Sequence, residues 1–474
     1  RLSEEPFMNG TKDWLSNLKL RLSYGTSGSD NISSNLWRET WSSLGSGSNH
    51  TPINGELGSF YRPDGLLANS KLKWETTISR NFGIDFGFLN NRVNGSLEVY
   101  WNTTKDLLMA VPVDNTTGYS YQFQNFGKTS NRGIELSVNV DVINKGDFRF
   151  NVGAIYNYNR NKLDELPNAD QYLYSSYWGS SSLVPTNDYM FVEGKAIGLV
   201  RGFISEGYYT VDDFNYTNGQ YVLKEGVPDI TKALTATYMH PYDLPAGQTA
   251  FPGAAKFRDV DESGTVDLDD ATCLGEVMPR HTGSFQLNFN YKNFDFSTNF
   301  NWTAGGKVYN VAAMINASGQ EFDGIGAQRA SWVADAFKVY NVNAAGDLYA
   351  VTNPDELRAL NANAKYHLPY HQSGITSSEW LENGSYLRLQ TLTLGYTLPK
   401  NWLTKVHVDK IRLYLTATNL FTITGYSGID PEVNANPTGQ SGFYSDLRIF
   451  PTLNMDFGTY PRARTFTFGA NITF

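Results

Sequence analysis

The chain of 474 residues holds one cysteine, six histidines and no long apolar run. The single thiol, Cys273, cannot form a disulfide within the chain. The histidines show no HExxH-type spacing, so the sequence offers no zinc-peptidase motif. No stretch approaches the roughly 18 to 20 apolar residues of a membrane helix, and the mean hydropathy is −0.39. Any membrane span must therefore be built from strands.

Charged residues are also scarce. They make up 18 % of the chain, below the roughly 25 % that is usual in soluble proteins. The formal net charge is −9, and the sequence contains no clustered basic stripe of the kind that binds nucleic-acid phosphates. We therefore expect no nucleic-acid partner.

The end of the chain alternates between apolar and polar residues, as a strand with one wet face does. One face carries Arg464, Phe466, Phe468, Ala470, Ile472 and Phe474, and the other carries Thr465, Thr467, Gly469, Asn471 and Thr473. An aromatic content of 14 % and 43 glycines suit a membrane barrel, in which rings form girdles at the water interfaces. Alternation alone leaves a soluble β-sandwich open, because there the apolar face meets a second sheet.

Several ordered motifs decide between these two readings. Near the C-terminus they are Gly384-Ser-Tyr-Leu-Arg-Leu389, Leu394-Gly-Tyr-Thr-Leu-Pro399, Asn419-Leu-Phe-Thr-Ile-Thr424 and Gly428-Ile-Asp-Pro-Glu432. Upstream they include Leu18-Lys-Leu-Arg21, Asn131-Arg-Gly-Ile-Glu135, Val192-Glu-Gly-Lys195 and Asp259-Val-Asp-Glu-Ser-Gly264. With the terminal Phe474, which marks the barrel-assembly terminus, they resemble SusC/RagA-type TonB-dependent outer-membrane transporters over nearly the whole chain.

The resemblance implies an all-β fold, an antiparallel transmembrane β-barrel in the outer membrane of a Gram-negative, Bacteroidetes-like bacterium. Plugged barrels of this kind have about 22 strands, so we expect residues 1–474 to form about twelve C-terminal strands with long extracellular loops. We expect the N-terminal domain, the plug and the first strands to lie outside this chain, and an N-terminal plug and barrel portion to be its partner. The barrel surface would contact outer-membrane lipid.

The implied function is TonB-dependent active import of oligosaccharides or oligopeptides, with a SusD-like surface lipoprotein as a lid and no enzymatic activity. TonB would act through a segment that is not in this chain. Two alternatives stay open: a secreted all-β protein that binds or degrades glycans, and a passive barrel or adhesin without a transport cycle.

Short turns near Asn90, Lys145, Asn293 and Trp402 separate alternating segments and predict hairpins. Weaker strand candidates lie at 197–209 and 254–258. In outer-membrane barrels the short turns face the periplasm and the long loops face outward. This assignment places residues 211–252 in the periplasm although they form a long segment. Either that segment is a periplasmic insertion, or a neighbouring strand is assigned wrongly.

An Asp-rich segment has the spacing of an EF-hand calcium loop, with Gly264 at the bend. Its candidate ligands are Asp259, Asp261, Ser263, Thr265, Asp267 and Asp270. The last position is Asp rather than Glu, so the final carboxylate is one methylene shorter than in the standard loop. Two interpretations stay open: Ca²⁺ as a cofactor that rigidifies an extracellular loop, and an Asx-rich loop held by its own backbone hydrogen bonds.

Aromatic residues in the predicted loops are candidates for ligand or partner contact, since rings stack on sugars and pack against proteins. They are Trp37, Trp41, Tyr119, Tyr121, Tyr177, Trp178, Tyr366 and Tyr370. The alternation places a second set of charged residues on the lumen face, where they could line the ligand path or contact the plug, and we favour plug contact: Arg21, Glu135, Arg149, Arg388 and Arg412.

Overall fold

The structure is a computed structural model of the chain. It describes residues 1–474 except 30–35, 44–51, 54–55, 58–60, 64–65, 120, 167–170, 177–182, 236–239, 319–329, 369–373, 404–407 and 434–452. All structural statements below concern the described residues.

One ten-stranded antiparallel sheet dominates the fold, and each strand pairs with the strand that follows it in this order. The strands are β1 Leu15–Ser29, β2 Glu75–Phe88, β3 Val93–Lys105, β4 Lys128–Lys145, β5 Phe148–Glu165, β6 His281–Tyr291, β7 Phe294–Ala304, β8 Tyr386–Thr397, β9 Lys410–Thr424 and β10 Thr465–Thr473. The sheet is open, because β1 and β10 each have one paired neighbour. The predicted all-β antiparallel fold is confirmed.

Short connections join the strands at one end of the sheet. Leu89, Asn90 and Asn91 adopt positive φ angles between β2 and β3, as a tight hairpin turn requires. Gly146 does the same between β4 and β5, and Lys292 between β6 and β7. These three predicted hairpins are therefore present with the expected turns.

The long connections all lie at the opposite end, which general barrel architecture identifies as the extracellular end. They span 30–74, 106–127, 166–280, 305–385 and 425–464. The described strands of the sheet number ten rather than about twelve. The two weaker candidates are loop strands: Leu199–Gly202 pairs with Tyr189–Val192 and Thr272–Glu276, and Ala255–Phe257 pairs with Ser205–Tyr208. Because neither candidate is a strand of the main sheet, residues 211–252 belong to the long connection 166–280 and not to a connection at the short-turn end.

The described parts of the long connections contain many short elements. Their remaining strands are Trp41–Ser43, Pro52–Ile53, Glu56–Leu57, Tyr61–Pro63, Leu66–Leu67, Leu108–Pro112, Tyr121–Asn125, Gln171–Tyr174, Phe214–Thr217, Gln220–Leu223, Asp229–Ile230, Thr265–Val266, Lys307–Asn310, Tyr340–Val342, Leu348–Ala350, Leu381–Asn383 and Met455–Asp456. The α-helices are Lys232–Thr235, Val311–Ser318, Ala330–Asp335, Pro354–Leu360 and, in the β8–β9 connection, Lys400–Leu403. Among the described residues, no helix combines the length and apolarity needed to cross a membrane.

The connections 166–280 and 305–385 pack together into one body, which we call the cap. Phe203, Phe251 and Phe257 from the first connection share a buried core with Phe337 and Leu357 from the second. A second buried cluster joins the cap to the upper ends of the strands, because it contains Leu163 of β5 beside Tyr189 and Tyr309. Apolar side chains of the long loops therefore serve mainly to build this cap.

The sheet shows the opposite burial pattern. One face of the sheet, which we call the outer face, exposes apolar side chains to solvent. Leu22 is 85 % exposed, Phe468 75 % and Ile423 61 %. No second layer of described residues covers them. A soluble sandwich would bury these side chains, so this face is suited to contact with lipid.

Candidate functional site

The inner face of the sheet carries a line of ion pairs that cross several strands. Arg21 of β1 donates to Asp85 of β2 at 2.8 Å and to Glu98 of β3 at 2.7 Å. Its guanidinium lies across Gly83, where a Cβ would come within 3.0 Å of the guanidinium carbon. One cation thus links three neighbouring strands and reinforces the polar wall.

A second pair crosses the sheet near its C-terminal edge. Arg412 of β9 donates to Asp295 of β7 through Nε at 2.8 Å and also through Nη2. These two strands are not neighbours, since β8 lies between them. The pair reaches across β8 at Gly395, where a Cβ would lie 2.5 Å from both the Arg412 and Asp295 side chains. The missing side chain of Gly395 therefore makes room for the bond.

The third set of ion pairs is a buried cluster at the rim, where β8 and β9 meet the long connection 425–464. Arg388 of β8 donates to Asp430 at 2.5 Å, to Glu432 at 2.8 Å and to Thr422 Oγ1 at 3.0 Å. The Arg388 side chain is 3 % exposed, so these charges are held out of water. Arg462 adds a further bond to Glu432 at 2.7 Å. The cluster fastens the described ends of the 425–464 connection to β8 and β9.

This geometry corrects one expectation. Arg388 has no open surface left for a plug, because residues of its own chain surround the guanidinium. Arg21 and Arg412 are only partly exposed and are paired within the wall. Glu135 and Arg149 are exposed on the inner face, and among the described residues they have no ion-pair partner. Of the five predicted residues, these two remain the free charges of the wall.

The predicted aromatic contact residues are spread over different connections. Trp37 and Trp41 are exposed, and the Tyr119 hydroxyl donates to Glu39 at 2.7 Å. Tyr366 stacks on Trp332 in the cap at a ring distance of 4.9 Å. Tyr121 lies in a loop strand, and Tyr177, Trp178 and Tyr370 lie outside the described residues. Tyr119 thus contacts the segment that carries Trp37 and Trp41, whereas Tyr366 lies apart from them in the cap.

The Asp-rich loop lies at the surface of the cap. Carboxylate oxygens of Asp259, Asp261 and Asp270 lie within 4.8 Å of one another. Asp270 is fully buried and accepts the backbone N–H groups of Val260, Asp261 and Asp267. Hydrogen bonds from Ser263 lower the pKa of the Asp261 carboxyl. Three carboxylates grouped this closely are the kind of oxygen ligands that a divalent cation prefers.

The other three predicted ligands, Ser263, Thr265 and Asp267, are not part of this group of carboxylates. The Ser263 hydroxyl donates to the Thr265 carbonyl at 3.0 Å, and the Ser263 N–H donates to the carboxylates of Asp259 and Asp261. Asp267 accepts the N–H of Asp269 and caps the short 3₁₀ helix Leu268–Asp270. The positive φ angles of Glu262 and Gly264 produce the sharp bend. The loop therefore groups three of the six predicted ligands and uses Asp267 as a helix cap.

Sequence reasoning missed the acidic partners Asp85, Glu98 and Asp295. A signal was available, because each lies between apolar or aromatic neighbours in an alternating strand, as in Ile84-Asp85-Phe86 and Phe294-Asp295-Phe296. Such a position places the carboxylate on the polar face. Which arginine it meets depends on strand register, which the sequence alone does not give.

An apolar outer face, a polar inner wall and long connections at one end define an outer-membrane β-barrel protein. The chain belongs to the family of TonB-dependent receptor-like β-barrels, whose family model matches residues 11–420. Its homologues are outer-membrane transporters and receptors rather than enzymes.

Two curated relatives match along the entire chain. TonB-dependent receptor P3 of Formosa agariphila is 29 % identical over 474 residues, which cover 41 % of that protein. TonB-dependent receptor SusC of Bacteroides thetaiotaomicron is 27 % identical over 484 residues, which cover 39 % of that protein. The chain thus spans about two fifths of the length of these relatives.

Solved structures of the RagAB peptide transporter have the same fold. One covers the whole chain with a TM-score of 0.67 at 21 % identity, and the closed-closed state of the RagAB peptide importer gives 0.68 at 20 %. The chain covers 42 % of each of those chains.

Proposed function

We propose that the chain forms the C-terminal part of a plugged barrel of about 22 strands that imports oligosaccharides or oligopeptides in a TonB-dependent manner. The observation that carries this proposal is the polar, ion-paired inner wall beneath a folded cap at the end with the long loops. An open ten-stranded sheet would expose two unpaired edges to hydrocarbon, so further strands must complete the barrel.

The proposed role of this part is to provide a rigid wall and an outer mouth. The cross-strand pairs of Arg21 and Arg412 keep the wall in register while a plug moves against it. Glu135 and Arg149 offer exposed charges to the plug or to a passing ligand. No bond of the ligand is made or broken in this scheme; the work comes from TonB.

The transport claim is tested by growth of the source bacterium. Deletion of the full-length gene should abolish growth on the cognate oligosaccharides or oligopeptides and leave growth on monosaccharides and amino acids intact. The intact gene should restore growth on these nutrients, and a copy without its TonB-contacting segment should not. Uptake that persists without that segment would favour the passive barrel instead. The nutrient class that loses growth separates glycan from peptide.

We further propose that a SusD-like lipoprotein covers the mouth of the barrel. Exposed Trp37 and Trp41 supply aromatic surface at the extracellular end, where such a lid would dock. Affinity purification of the tagged full-length protein should recover the lipoprotein in stoichiometric amounts. The Trp37→Ala/Trp41→Ala variant should recover less, and Trp402→Ala at the opposite end should recover the normal amount.

Calcium in the Asp-rich loop is a separate proposal. Asp259, Asp261 and Asp270, with the Thr265 carbonyl, would hold Ca²⁺ and rigidify this edge of the cap. Added Ca²⁺ should slow hydrogen exchange in peptides covering 257–271 of the full-length protein, and Asp261→Asn should abolish that effect. The control Asp355→Asn removes an acid that is 95 % exposed elsewhere in the cap and should keep it. If Ca²⁺ does not change hydrogen exchange in the unmodified protein, the calcium proposal is wrong and the Asx-rich loop is held by its own hydrogen bonds.

A further inference from the structure

A row of basic and aromatic side chains crosses five neighbouring strands on the outer face of the sheet. Strand register aligns Tyr24 with Arg80, Arg80 with Trp101, Trp101 with Arg132, and Arg132 with Arg160. We call these five residues the arginine row. The residues come from β1 to β5 and lie 20 or more positions apart in sequence, so only the pairing of the strands brings them together.

The arginine row marks the upper border of the apolar surface. The next row toward the short turns, on the same face, consists of Leu22, Phe82, Val99, Ile134 and Tyr158. The next row toward the long loops is polar except for Ile78 and consists of Thr26, Ile78, Thr103, Ser130 and Lys162. Trp101 and Tyr24 are exposed within the arginine row itself, as rings at a membrane interface are. The row therefore lies at the level of the outer-leaflet headgroups.

The three guanidinium groups of the arginine row are exposed. Arg80 has one long hydrogen bond to Thr103 at 3.4 Å. Among the described residues, neither Arg80, Arg132 nor Arg160 forms an ion pair, although seventeen salt bridges occur elsewhere. On the inner face, by contrast, Arg21, Arg388 and Arg412 are matched to carboxylates.

The arrangement carries a cost without a ligand. Arg132 and Arg160 are direct cross-strand partners, a position in which Cβ atoms lie about 5 Å apart and like charges are destabilising. A bound anion removes this repulsion. Arg80 and Arg132 also line a depression of about 490 Å³ on the outer face, together with Leu22, Tyr24, Trp101 and Thr103. The depression is polar on its upper side and apolar below, which matches a lipid with an anionic headgroup.

We propose that the arginine row binds a phosphorylated glycolipid of the outer leaflet, with the lipid A phosphates on Arg80, Arg132 and Arg160 and the acyl chains along the apolar row below. Guanidinium groups bind phosphate oxygens in a bidentate manner, and Arg is less strongly hydrated than Lys. Trp101 and Tyr24 provide ring faces and edges for the sugar. The site attaches an annular lipid to the outside of the barrel and is independent of the transported ligand.

Binding of purified lipids to the detergent-solubilised full-length protein tests the proposal. Bisphosphorylated lipid A should bind, and the Arg132→Gln/Arg160→Gln variant should lose at least tenfold in affinity. The matched control, Lys145→Gln/Lys292→Gln, makes the same change in charge at the short-turn end and should stay within twofold of the unmodified protein. An Arg132→Lys/Arg160→Lys variant should fall between the two, because charge remains but the bidentate geometry is lost.

Two further probes identify the part of the lipid that is recognised. Lipid A without its phosphates should bind at least tenfold more weakly, and millimolar inorganic phosphate should not displace the intact lipid. The proposal is overturned if the glutamine pair binds as well as the unmodified protein, if the phosphates make no difference, or if free phosphate competes fully. Heat-modifiable migration in gels checks that each variant is folded, and Arg80→Gln provides the same readout if the pair fails to fold.

Discussion

Arg388 lies below the protein surface at the rim of the sheet, with two carboxylates and one hydroxyl as partners. A charge held in this way adds little stability by itself, because desolvation offsets the attraction between the charges. Removal of one partner is different, since it leaves the others buried and uncompensated. We therefore expect substitution of the buried Arg388 to reduce stability strongly and substitution of the half-exposed Arg462 to reduce it little.

We predict that Arg388→Met lowers the free energy of unfolding by about 3–5 kcal/mol, because Asp430 loses its counter-ion while only 9 % exposed. Urea unfolding of the full-length protein in detergent measures the change. The control Arg462→Met removes the half-exposed arginine of the same cluster and should cost less than about 1 kcal/mol. Equal losses in both variants would contradict this account of the cluster.

Gly395 provides a second test at the residue scale. We predict that Gly395→Val separates Arg412 from Asp295, because a Cβ at this position would lie 2.5 Å from both side chains. Lower resistance of the folded band to heating in gels is the expected readout. Gly25→Val is the matched control, since Gly25 lies in β1 with nothing within 4 Å of its Cβ position. The prediction is wrong if both variants behave alike.

The alternation in the sequence assigned charged residues to the correct face, but it could not assign partners. Arg21, Arg388 and Arg412 were predicted on the inner face, and all three pair there within their own chain. The acids that pair with these three arginines lie 42 to 117 residues away in sequence, so the pairing depends on strand register. The arginine row could not be predicted for the same reason: its residues are far apart in sequence and only strand register brings them together.

At the element scale, the three hairpins β2–β3, β4–β5 and β6–β7 could be predicted because alternation and turn residues agree in them. The strands of the cap could not be separated from barrel strands. Ala255 and Phe257 alternate with the less buried Lys256 as lipid-facing residues do, yet they are enclosed in the cap. Periodicity reports that one face is apolar but does not tell whether lipid or protein covers it. That ambiguity produced the excess strand count.

The cap contains a buried carboxyl that should make its stability depend on pH. Burial raises the pKa of Asp188 to about 7, although Ser176 donates to it through its N–H and its hydroxyl. The unfolded carboxyl ionises near its usual pKa of about 4. The native cap therefore binds a proton that the unfolded chain releases. Its contribution to stability is complete below about pH 4 and is lost as the pH rises to 7.

We predict faster hydrogen exchange in peptides covering 171–176 and 183–203 at pH 8 than at pH 5, after correction for intrinsic rates. Asp188→Asn should flatten this difference, because the amide keeps a hydrogen-bonding oxygen and does not ionise. Asp243→Asn removes an exposed acid of the cap and should leave the difference in place. An unchanged pH dependence in Asp188→Asn would exclude Asp188 as its source.

At the scale of the whole molecule, one sheet separates two environments. Its inner face pairs charges across strands, its outer face exposes apolar side chains, and its long connections fold into a cap at one end. The chain spans about two fifths of the length of the relatives it matches, and the proposed closed barrel needs further strands. Both proposals, the transport function and the lipid site, depend on lipid covering the outer face.

The most direct test of this claim uses brominated lipids as short-range fluorescence quenchers. The full-length protein is made free of cysteine, Cys273 included, and single cysteines at Phe468, Leu415 or Thr467 are labelled with a fluorophore after reconstitution. Labels at Phe468 and Leu415 should be quenched strongly, and the label at Thr467, on the opposite face of β10, should be quenched weakly. Equal quenching at all three positions, or none at Phe468, would contradict the assignment of the outer face to lipid.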